Sequence, residues 1–397
     1  MNKKTSNAML SIALATVCLF VGYPVGQAAP QEISATAQQT QKDVQMKQPL
    51  IIAEQGSFAI GGATKQHEGD FSLEHFLEPT GQTAYGDHAY VYYQKPLQPR
   101  TLSLVFEHGG AQTKRTWEST VDGREGFQNI FLRKGYTTYL VDQPRIGEAG
   151  LALQADDGKN PYAANPMYAD HTMFMLCRIG TYDQNNQLKA YDNVAFPSDA
   201  ASLEQFQRTW TPYTGALDDE VSAEALAALF ERTGSGILVT HSMGGAVGWR
   251  TLFRTDKVKA VVAFEPGGRP FPFPKGEKPA PIVASYAPVS SMAEEVPLQD
   301  FERLTKVPII LFYGDNIAKE PTKDIGPDKW RTEMAMAQKF VEAINHHGGQ
   351  AELVHLPDIG IYGNTHFLMG DTNNEQIAEL MAQWLEKHGL AGYLQAK

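Results

Sequence analysis

Hydrophobic positions follow two alternating patterns over most of this chain. Short, continuous apolar runs, such as residues 102–106 and 237–239, are typical of strands that are buried on both faces of a sheet. Between such runs lie segments with apolar residues at helical spacing, such as 222–232 and 328–345. Strands that alternate with helices predict an α/β fold with a mostly parallel sheet covered on both faces.

The first part of the sheet is expected to differ from the rest. Residues 51–60 and 88–93 alternate apolar and polar side chains, which predicts half-buried antiparallel strands. Further strands are predicted at residues 102–106, 136–141, 237–239, 260–264, 308–313 and 351–356. Helices are predicted at residues 122–134, 222–232, directly after Ser242, 328–345 and around 377–385. The predicted sheet is therefore mixed, with an antiparallel start and a parallel remainder.

The first 28 residues have the pattern of a signal peptide. Two lysines precede an apolar segment at residues 9–21, and small residues at 26 and 28 predict cleavage after Ala28. We therefore expect an exported protein, periplasmic or secreted, with no membrane span in the mature chain. Cleavage would leave Cys177 as the sole cysteine, and its apolar neighbours predict a buried packing role.

The rest of the chain is predicted to form one domain that carries a long insertion. Residues 29–48 are rich in Gln, Lys and Ala without an apolar period, which predicts a flexible lead-in to a domain at 49–397. Within that domain, residues from about 146 to 220 break the alternation and are rich in Asp, Asn, Pro and aromatic side chains. Such a long loop is usually functional, so we interpret it as a cap over the carboxyl ends of the strands.

Composition narrows the class of partner. A hydrophobic content of 42% and a charged content of 20% indicate a folded globular protein. The formal net charge of −11 argues against nucleic acid and against anionic membrane surfaces. No pair of histidines has the context of a metal site, so neither a metal nor another cofactor is predicted. The expected partner is a small molecule, and the oligomeric state is left open, with a homodimer as one option.

Ser242 lies where a buried apolar run ends and small residues follow at once. The segment Thr240-His241-Ser242-Met243-Gly244 is similar to a nucleophile elbow, in which a strand turns sharply into a helix and exposes a hydroxyl group. The usual pattern is G-x-S-x-G, from which Thr240 departs. An ordinary strand-to-helix turn would also fit these residues. Acyl transfer by serine further requires a base, an orienting carboxylate and hydrogen-bond donors for an oxyanion.

Candidates for the base and the oxyanion donors follow other predicted strands. After the strand at 102–106, glycines let the backbone turn, so that the amides of Gly110 and Met243 would donate to the oxyanion. His366 lies on a loop between the last strand and the last helix, from which a catalytic base can reach the serine. In α/β-hydrolases these groups occur along the chain in the order oxyanion loop, serine, acid and histidine, and this chain offers that order.

Two carboxylates compete for the role of the acid. Asp315 follows the strand at 308–313, where most α/β-hydrolases carry theirs, and Glu265 follows the strand directly after the nucleophile. Either carboxylate could accept the imidazole N–H and stabilise the imidazolium. Position along the chain alone slightly favours Asp315.

From about residue 85 to its C-terminus, the chain resembles a family of secreted bacterial α/β-hydrolase esterases with a Ser-Glu-His triad, whose structurally known member is an Alcaligenes esterase. The matching blocks are His108-Gly109, Trp117-Glu118, Asp122-Gly123-Arg124, Phe131-Leu132-Arg133-Lys134-Gly135-Tyr136, Val141-Asp142-Gln143, His241-Ser242, Glu265-Pro266-Gly267 and Gly363-Asn364-Thr365-His366. The resemblance implies an α/β-hydrolase fold with Ser242, Glu265 and His366 as the triad. It reverses the preference for Asp315, which stays the alternative acid.

One departure from that family concerns the oxyanion loop. The known member has two adjacent, disulfide-bonded cysteines where this chain has Gly110-Ala111. The donor amide is retained because it belongs to the backbone, but the rigidity of the disulfide is not.

The sequence therefore predicts a carboxylic ester hydrolase with a serine nucleophile and an acyl-enzyme intermediate. An amidase or an acyltransferase with the same triad is the first alternative, because the same groups can run either reaction. A binding protein on the same fold is the second, although such a protein would normally lose a member of the triad.

Overall fold

The computed structural model of the chain describes residues 48–70, 80–147, 170–185, 187–285 and 290–394. The signal peptide predicted at residues 1–28, nearly all of the predicted lead-in and part of the predicted insertion lie outside these residues. The pattern of contacts between residues divides the chain into two units, with the boundary after Pro49. Every described helix and strand belongs to the second unit, Leu50–Lys397. Among the described residues, no helix is both long enough and apolar enough to cross a membrane.

Strands and helices alternate along the described chain. The strands are β1 (Ile52–Gln66), β2 (Thr83–Pro96), β3 (Ser103–Glu107), β4 (Thr138–Asp142), β5 (Gly180–Tyr182), β6 (Leu188–Ala190), β7 (Gly236–His241), β8 (Val258–Phe264), β9 (Phe271–Pro274), β10 (Ile282–Val283), β11 (Ser290–Ser291), β12 (Ala293–Val296), β13 (Pro308–Tyr313) and β14 (Gln350–His355). The helices are α1 (Arg115–Glu118), α2 (Phe127–Arg133), α3 (Asp170–Leu176), α4 (Ala200–Gln207), α5 (Asp219–Thr233), α6 (Gly244–Leu252), α7 (Leu298–Leu304), α8 (Ile325–His346) and α9 (Asn374–Lys387).

Eight of the described strands form one sheet in the order β1-β2-β4-β3-β7-β8-β13-β14. The pairs β1–β2 and β2–β4 are antiparallel, whereas every later pair is parallel. The mixed sheet predicted from the sequence is therefore confirmed. Because β3, β7, β8 and β13 are parallel neighbours, the loops that follow them all leave the same edge of the sheet.

The central strands are buried on both faces. In β7, Ile237 and Val239 belong to the apolar layer that includes residues of α2 and α9, whereas Leu238 belongs to the layer that includes residues of α5, α6 and α8. Successive side chains of a strand point to opposite faces. The uninterrupted apolar run of β7 therefore reflects its position between two hydrophobic layers.

Several boundaries differ from those predicted. The helix expected at 122–134 begins only at Phe127, because Gly126 has an extended backbone and a β-bridge joins Ser119 to Glu125 ahead of it. The helix expected at 222–232 begins earlier, at Asp219, because the Asp218 side chain caps it by accepting the amides of residues 220 and 221. The described part of the insertion also contains short elements, α3, β5, β6 and α4, rather than a loop alone.

Candidate active site

Ser242 lies at a sharp turn between β7 and α6. Its φ of +54° is in the left-handed region, which residues other than glycine seldom adopt. The Ser242 amide donates to the Phe264 carbonyl at 3.0 Å, and the Gly245 amide donates to the Ser242 carbonyl at 3.0 Å. Hydrogen bonds to β8 and within the first turn of α6 therefore hold the strained backbone at the place predicted for the nucleophile.

Close packing around this turn explains the small residues that follow Ser242. A Cβ added at Gly244 would lie 2.5 Å from the His108 carbonyl oxygen, and one at Gly245 would lie 2.7 Å from the Pro266 Cβ. Thr240, which replaces the usual glycine, faces α6 at a third glycine, because a Cβ at Gly248 would lie 2.9 Å from the Thr240 methyl group. The missing glycine of the motif is thus accommodated by one on the opposing helix.

The loop after β3 approaches Ser242 closely. A Cβ added at Gly109 would lie 2.9 Å from the Ser242 Cβ, and one at Gly110 would collide with the Met243 sulfur. Throughout the described chain, no acceptor takes a hydrogen bond from the amide of Gly110 or of Met243. The two predicted donors therefore lie on segments in contact, and neither amide has a backbone acceptor among the described residues.

The buried side chain of His108 stabilises this loop by two hydrogen bonds. Its Nδ1 donates to the Gly109 carbonyl at 2.7 Å, and its Nε2 accepts from the Gln143 amide at 3.2 Å. This pattern requires the neutral ring, and burial lowers the pKa of His108 accordingly. Ala111 completes the turn with a φ of +53°. Hydrogen bonds and a left-handed turn thus shape this loop.

His366 contacts Glu265 rather than Asp315. The His366 Nδ1 lies 2.7 Å from the Glu265 Oε2, and both side chains are buried. An ionised carboxylate only accepts, so Nδ1 carries the proton and Nε2 is left as the basic atom. The Trp330 ring lies against the imidazole, with centroids 4.1 Å apart and an interplanar angle of 32°. The imidazole is therefore held in one orientation and one tautomer.

Asp315 has another position at the same edge of the sheet. Its Oδ2 accepts from the Gly363 amide at 2.7 Å and from the Asn193 side chain at 3.1 Å. Its own amide donates to the Asn364 carbonyl at 2.7 Å. Asp315 thus supports the loop that carries His366 without contacting the imidazole.

A fully buried arginine, Arg178, completes the environment of Glu265. Its Nη1 donates to the Glu265 Oε2 at 2.9 Å, and its Nη2 donates to Oε1. The Gly314 amide also donates to Oε1, at 2.6 Å. Burial by itself would raise the pKa of Glu265, but the Arg178 guanidinium and the His366 hydrogen bond outweigh it and lower that pKa to about 2. Glu265 is therefore ionised at neutral pH.

His366 is neutral at the same pH. Burial lowers the pKa of His366 to about 4, and the opposing contact with Glu265 is weakened by the nearby cations Arg178 and Lys329. An ionised Glu265 beside a neutral His366 is the resting arrangement that a general base requires.

The sequence contains no signal that would identify Arg178. It lies in the insertion, 87 residues from Glu265, and no motif surrounds it. Asp371 was missed for the same reason: its buried carboxylate accepts from the Thr365 amide at 2.9 Å and the Asn364 side chain at 2.8 Å. Both residues act on the site through contacts that only the folded chain creates.

Two other buried residues near Ser242, His241 and Cys177, have the surroundings of structural side chains. His241 lies behind the imidazole of His366, and its Nε2 donates to the His366 carbonyl at 2.9 Å. Burial lowers the pKa of His241 well below its usual value, so the ring is neutral. Cys177 is buried, and burial raises the pKa of its thiol far above the usual range, which opposes a nucleophilic role. The packing role predicted for Cys177 agrees with this position.

A cavity of about 150 Å³ lies beside Ser242 and His366. Most of its wall is apolar and comes from the insertion, α8 and the loop after His366: Met173, Leu176, Trp210, Trp330 and Phe367. Lys329 supplies a charged group, which pairs with Glu333 at 3.2 Å. Among the described residues, no cluster of His, Cys, Asp or Glu side chains has the arrangement of a metal site. The cavity beside Ser242 is suited to an apolar ligand.

The fold and the geometry of this site agree with the comparisons to known proteins. The sequence profile of the Alpha/beta hydrolase family matches residues 104–393, and the chain belongs to that family. The α/β-hydrolase fold predicted from the sequence is thereby confirmed.

Two known proteins are similar to this chain over most of its length. It is 28% identical over 318 residues to a probable secreted lipase, phiG, of a fungal species (strain ATCC 74256), a match that covers 74% of this chain and 84% of the relative. It also resembles a solved structure described as a novel bacterial esterase, with 27% identity and a TM-score of 0.66 over 86% of this chain and 97% of the other.

Proposed function

We propose that this protein is a serine hydrolase of carboxylic esters, with Ser242 as nucleophile, His366 as base and Glu265 as acid. The observation that carries the proposal is the 2.7 Å contact between buried Glu265 and His366, whose imidazole lines the same cavity as the strained Ser242. The names of the two relatives, a lipase and an esterase, support ester hydrolysis as the reaction.

In the proposed reaction, the His366 Nε2 takes the proton of the Ser242 hydroxyl as its oxygen attacks the ester carbonyl carbon. The resulting oxyanion accepts hydrogen bonds from the Gly110 and Met243 amides, each worth a few kcal/mol, or roughly a hundredfold in rate. Glu265 stabilises the imidazolium, which then protonates the departing alcohol. Water, activated by the same imidazole, releases the acyl group from the acyl-enzyme.

The volume and the lining of the cavity support a size class for the proposed substrate. At about 150 Å³ and with a mostly apolar wall, it is comparable to cavities that hold one benzene molecule. We therefore propose esters in which the group beside the carbonyl has about four to six carbons or one aromatic ring. A series of p-nitrophenyl esters should show kcat/KM highest at short acyl chains. A maximum at chains of sixteen carbons would contradict this assignment.

We also propose that the protein is exported, periplasmic or secreted. The support is the charged and apolar pattern of residues 1–28, together with the name of the fungal relative, which describes a secreted protein. Protein fractionation followed by N-terminal sequencing tests this, and the expected mature chain begins after Ala28.

The test of the proposed reaction is Ser242→Ala. The variant should retain the thermal unfolding of the wild type and lose hydrolysis of p-nitrophenyl acetate, and it should no longer react with a fluorophosphonate probe. Ser222→Ala is the matched control, because Ser222 is a buried serine on α5 whose hydroxyl only donates to the Asp218 carbonyl. Retained turnover in Ser242→Ala would contradict the proposal.

Two further measurements separate the alternative functions. Addition of an alcohol in competition with water distinguishes an acyltransferase from a hydrolase through the products, and an anilide substrate reports amidase activity. A folded wild-type protein that is inert to the fluorophosphonate would instead indicate a binding protein.

A further inference from the structure

We propose that Arg178 is a positioning residue of the triad, through which the insertion holds the Glu265 carboxylate against His366. The inference rests on the proposed function, because it assigns Glu265 and His366 to catalysis. It concerns a residue that does not line the cavity.

Arg178 forms a bidentate ion pair with one carboxylate, that of Glu265. Two of its nitrogens donate to the two oxygens of Glu265, and its Nε donates to the Asp315 carbonyl at 2.8 Å. The planar guanidinium thus fixes both the position and the rotation of the carboxylate, which the single charge of a lysine would not do. Since Arg178 and Glu265 are both fully buried, water does not compete for these hydrogen bonds.

The backbone beside Arg178 is bound to the base as well. The carbonyl of Cys177 accepts from the His366 amide at 3.1 Å, so two consecutive residues of the insertion contact the base and the acid. Arg178 itself has a φ of +58°, in the left-handed region. A strained backbone at a residue that contacts a site is commonly maintained by those contacts. The turn that follows α3 is therefore part of the support of the triad.

Arg178 also changes the electrostatic potential at the His366 imidazole. The charged and titratable groups around the Glu265–His366 pair are Cys177 and Arg178 after α3, His241 at the end of β7, Tyr313 on β13, Asp315 in the following loop, Lys329 and Glu333 on α8, and Asp371 before α9. Arg178 is the cation paired directly with Glu265, and it offsets the attraction of that carboxylate for a proton on His366. Removal of the guanidinium should therefore make His366 more basic.

The experiment compares Arg178→Met and Arg178→Lys with the wild type on p-nitrophenyl acetate. Displacement of the acid should lower kcat about 100-fold in Arg178→Met, with KM changed less than about twofold, because the residue is outside the cavity. In Arg178→Met, the acid limb of the pH profile of kcat/KM should move to higher pH. Arg178→Lys should recover part of the lost kcat and bring the acid limb part of the way back to its wild-type position. Arg331→Met is the matched control, since it also breaks an arginine ion pair with a fully buried carboxylate, that of Asp328, and neither residue lines the cavity.

A double-mutant cycle with Glu265→Gln tests whether Arg178 acts through Glu265. In the Glu265→Gln background, substitution of Arg178 should change kcat less than threefold. Loss of one partner of a buried pair destabilises a fold strongly, so if Arg178→Met does not fold, Arg178→Lys and the double variants, which have no unpaired carboxylate, supply the cycle.

Three outcomes would overturn the inference. These are an unmoved acid limb in Arg178→Met, a loss expressed in KM alone, or an equal loss of kcat with and without Glu265. They are distinct from failure of the proposed function, which would appear as activity in Ser242→Ala.

Discussion

Replacement of Glu265 by Gln tests the assignment of the acid most directly, because it removes a charge and preserves shape. The Glu265 Oε2 lies 2.7 Å from the His366 Nδ1, and neither side chain reaches solvent appreciably. With an effective dielectric constant of about 20, a carboxylate about 3 Å from the imidazolium stabilises it by roughly 5.5 kcal/mol, or about 10⁴ in rate. We therefore expect kcat to fall about 10⁴-fold.

Asp315→Asn is the matched comparison, since both substitutions replace a carboxylate by its amide at the same edge of the sheet. Asp315 accepts from Gly363, Asn193 and the Asn316 amide but does not contact His366, so its loss should lower kcat less than tenfold. Initial rates on p-nitrophenyl acetate measure both effects, and thermal unfolding confirms that each variant is folded at the assay temperature. A larger loss in Asp315→Asn, or kcat in Glu265→Gln within tenfold of the wild type, would refute this reasoning.

Three further predictions concern the surroundings of the site. Gly248→Ala should lower the unfolding temperature, because its Cβ would lie 2.9 Å from the Thr240 methyl group, and Thr240→Ser in the same chain should recover most of that loss. Burial raises the pKa of Asp371 from 3.8 to about 7, so its contribution to stability is present below pH 4 and is lost as pH rises to 7. Asp371→Asn should accordingly reduce the dependence of unfolding free energy on pH by up to about 1.4 kcal/mol per pH unit in that range, and unchanged dependence would contradict the argument. Cys177, buried and with a raised thiol pKa, should react with a thiol reagent only after unfolding, and rapid labelling of the native protein would show otherwise.

Local patterns in the sequence determined the chain order of the strands of the main sheet and of the long helices between them, and the positions of the candidate nucleophile and base. Apolar runs identify the central strands because hydrophobic layers bury both of their faces, and Ser242 directly follows one of them, β7. His366 lies further along the chain, in the loop between the edge strand β14 and α9. The start of α2 was predicted too early, because an extended glycine and a β-bridge interrupt the helical periodicity ahead of Phe127. The strands β9 to β12 and helix α7 were not predicted, since most are too short to show a period.

The residues themselves left open which carboxylate faces the imidazole; the family resemblance favoured Glu265, and the tertiary structure brings Glu265 to His366. Glu265 and Asp315 follow β8 and β13, which are adjacent parallel strands, so both acids reach the same edge of the sheet. The left-handed backbone of Glu265, with a φ of +44°, and its clamp by Arg178 direct its carboxylate to His366, whereas Asp315 is occupied by the amide of Gly363. Such a choice depends on backbone angles and on a partner distant in sequence, and neither is encoded in the residues next to either acid.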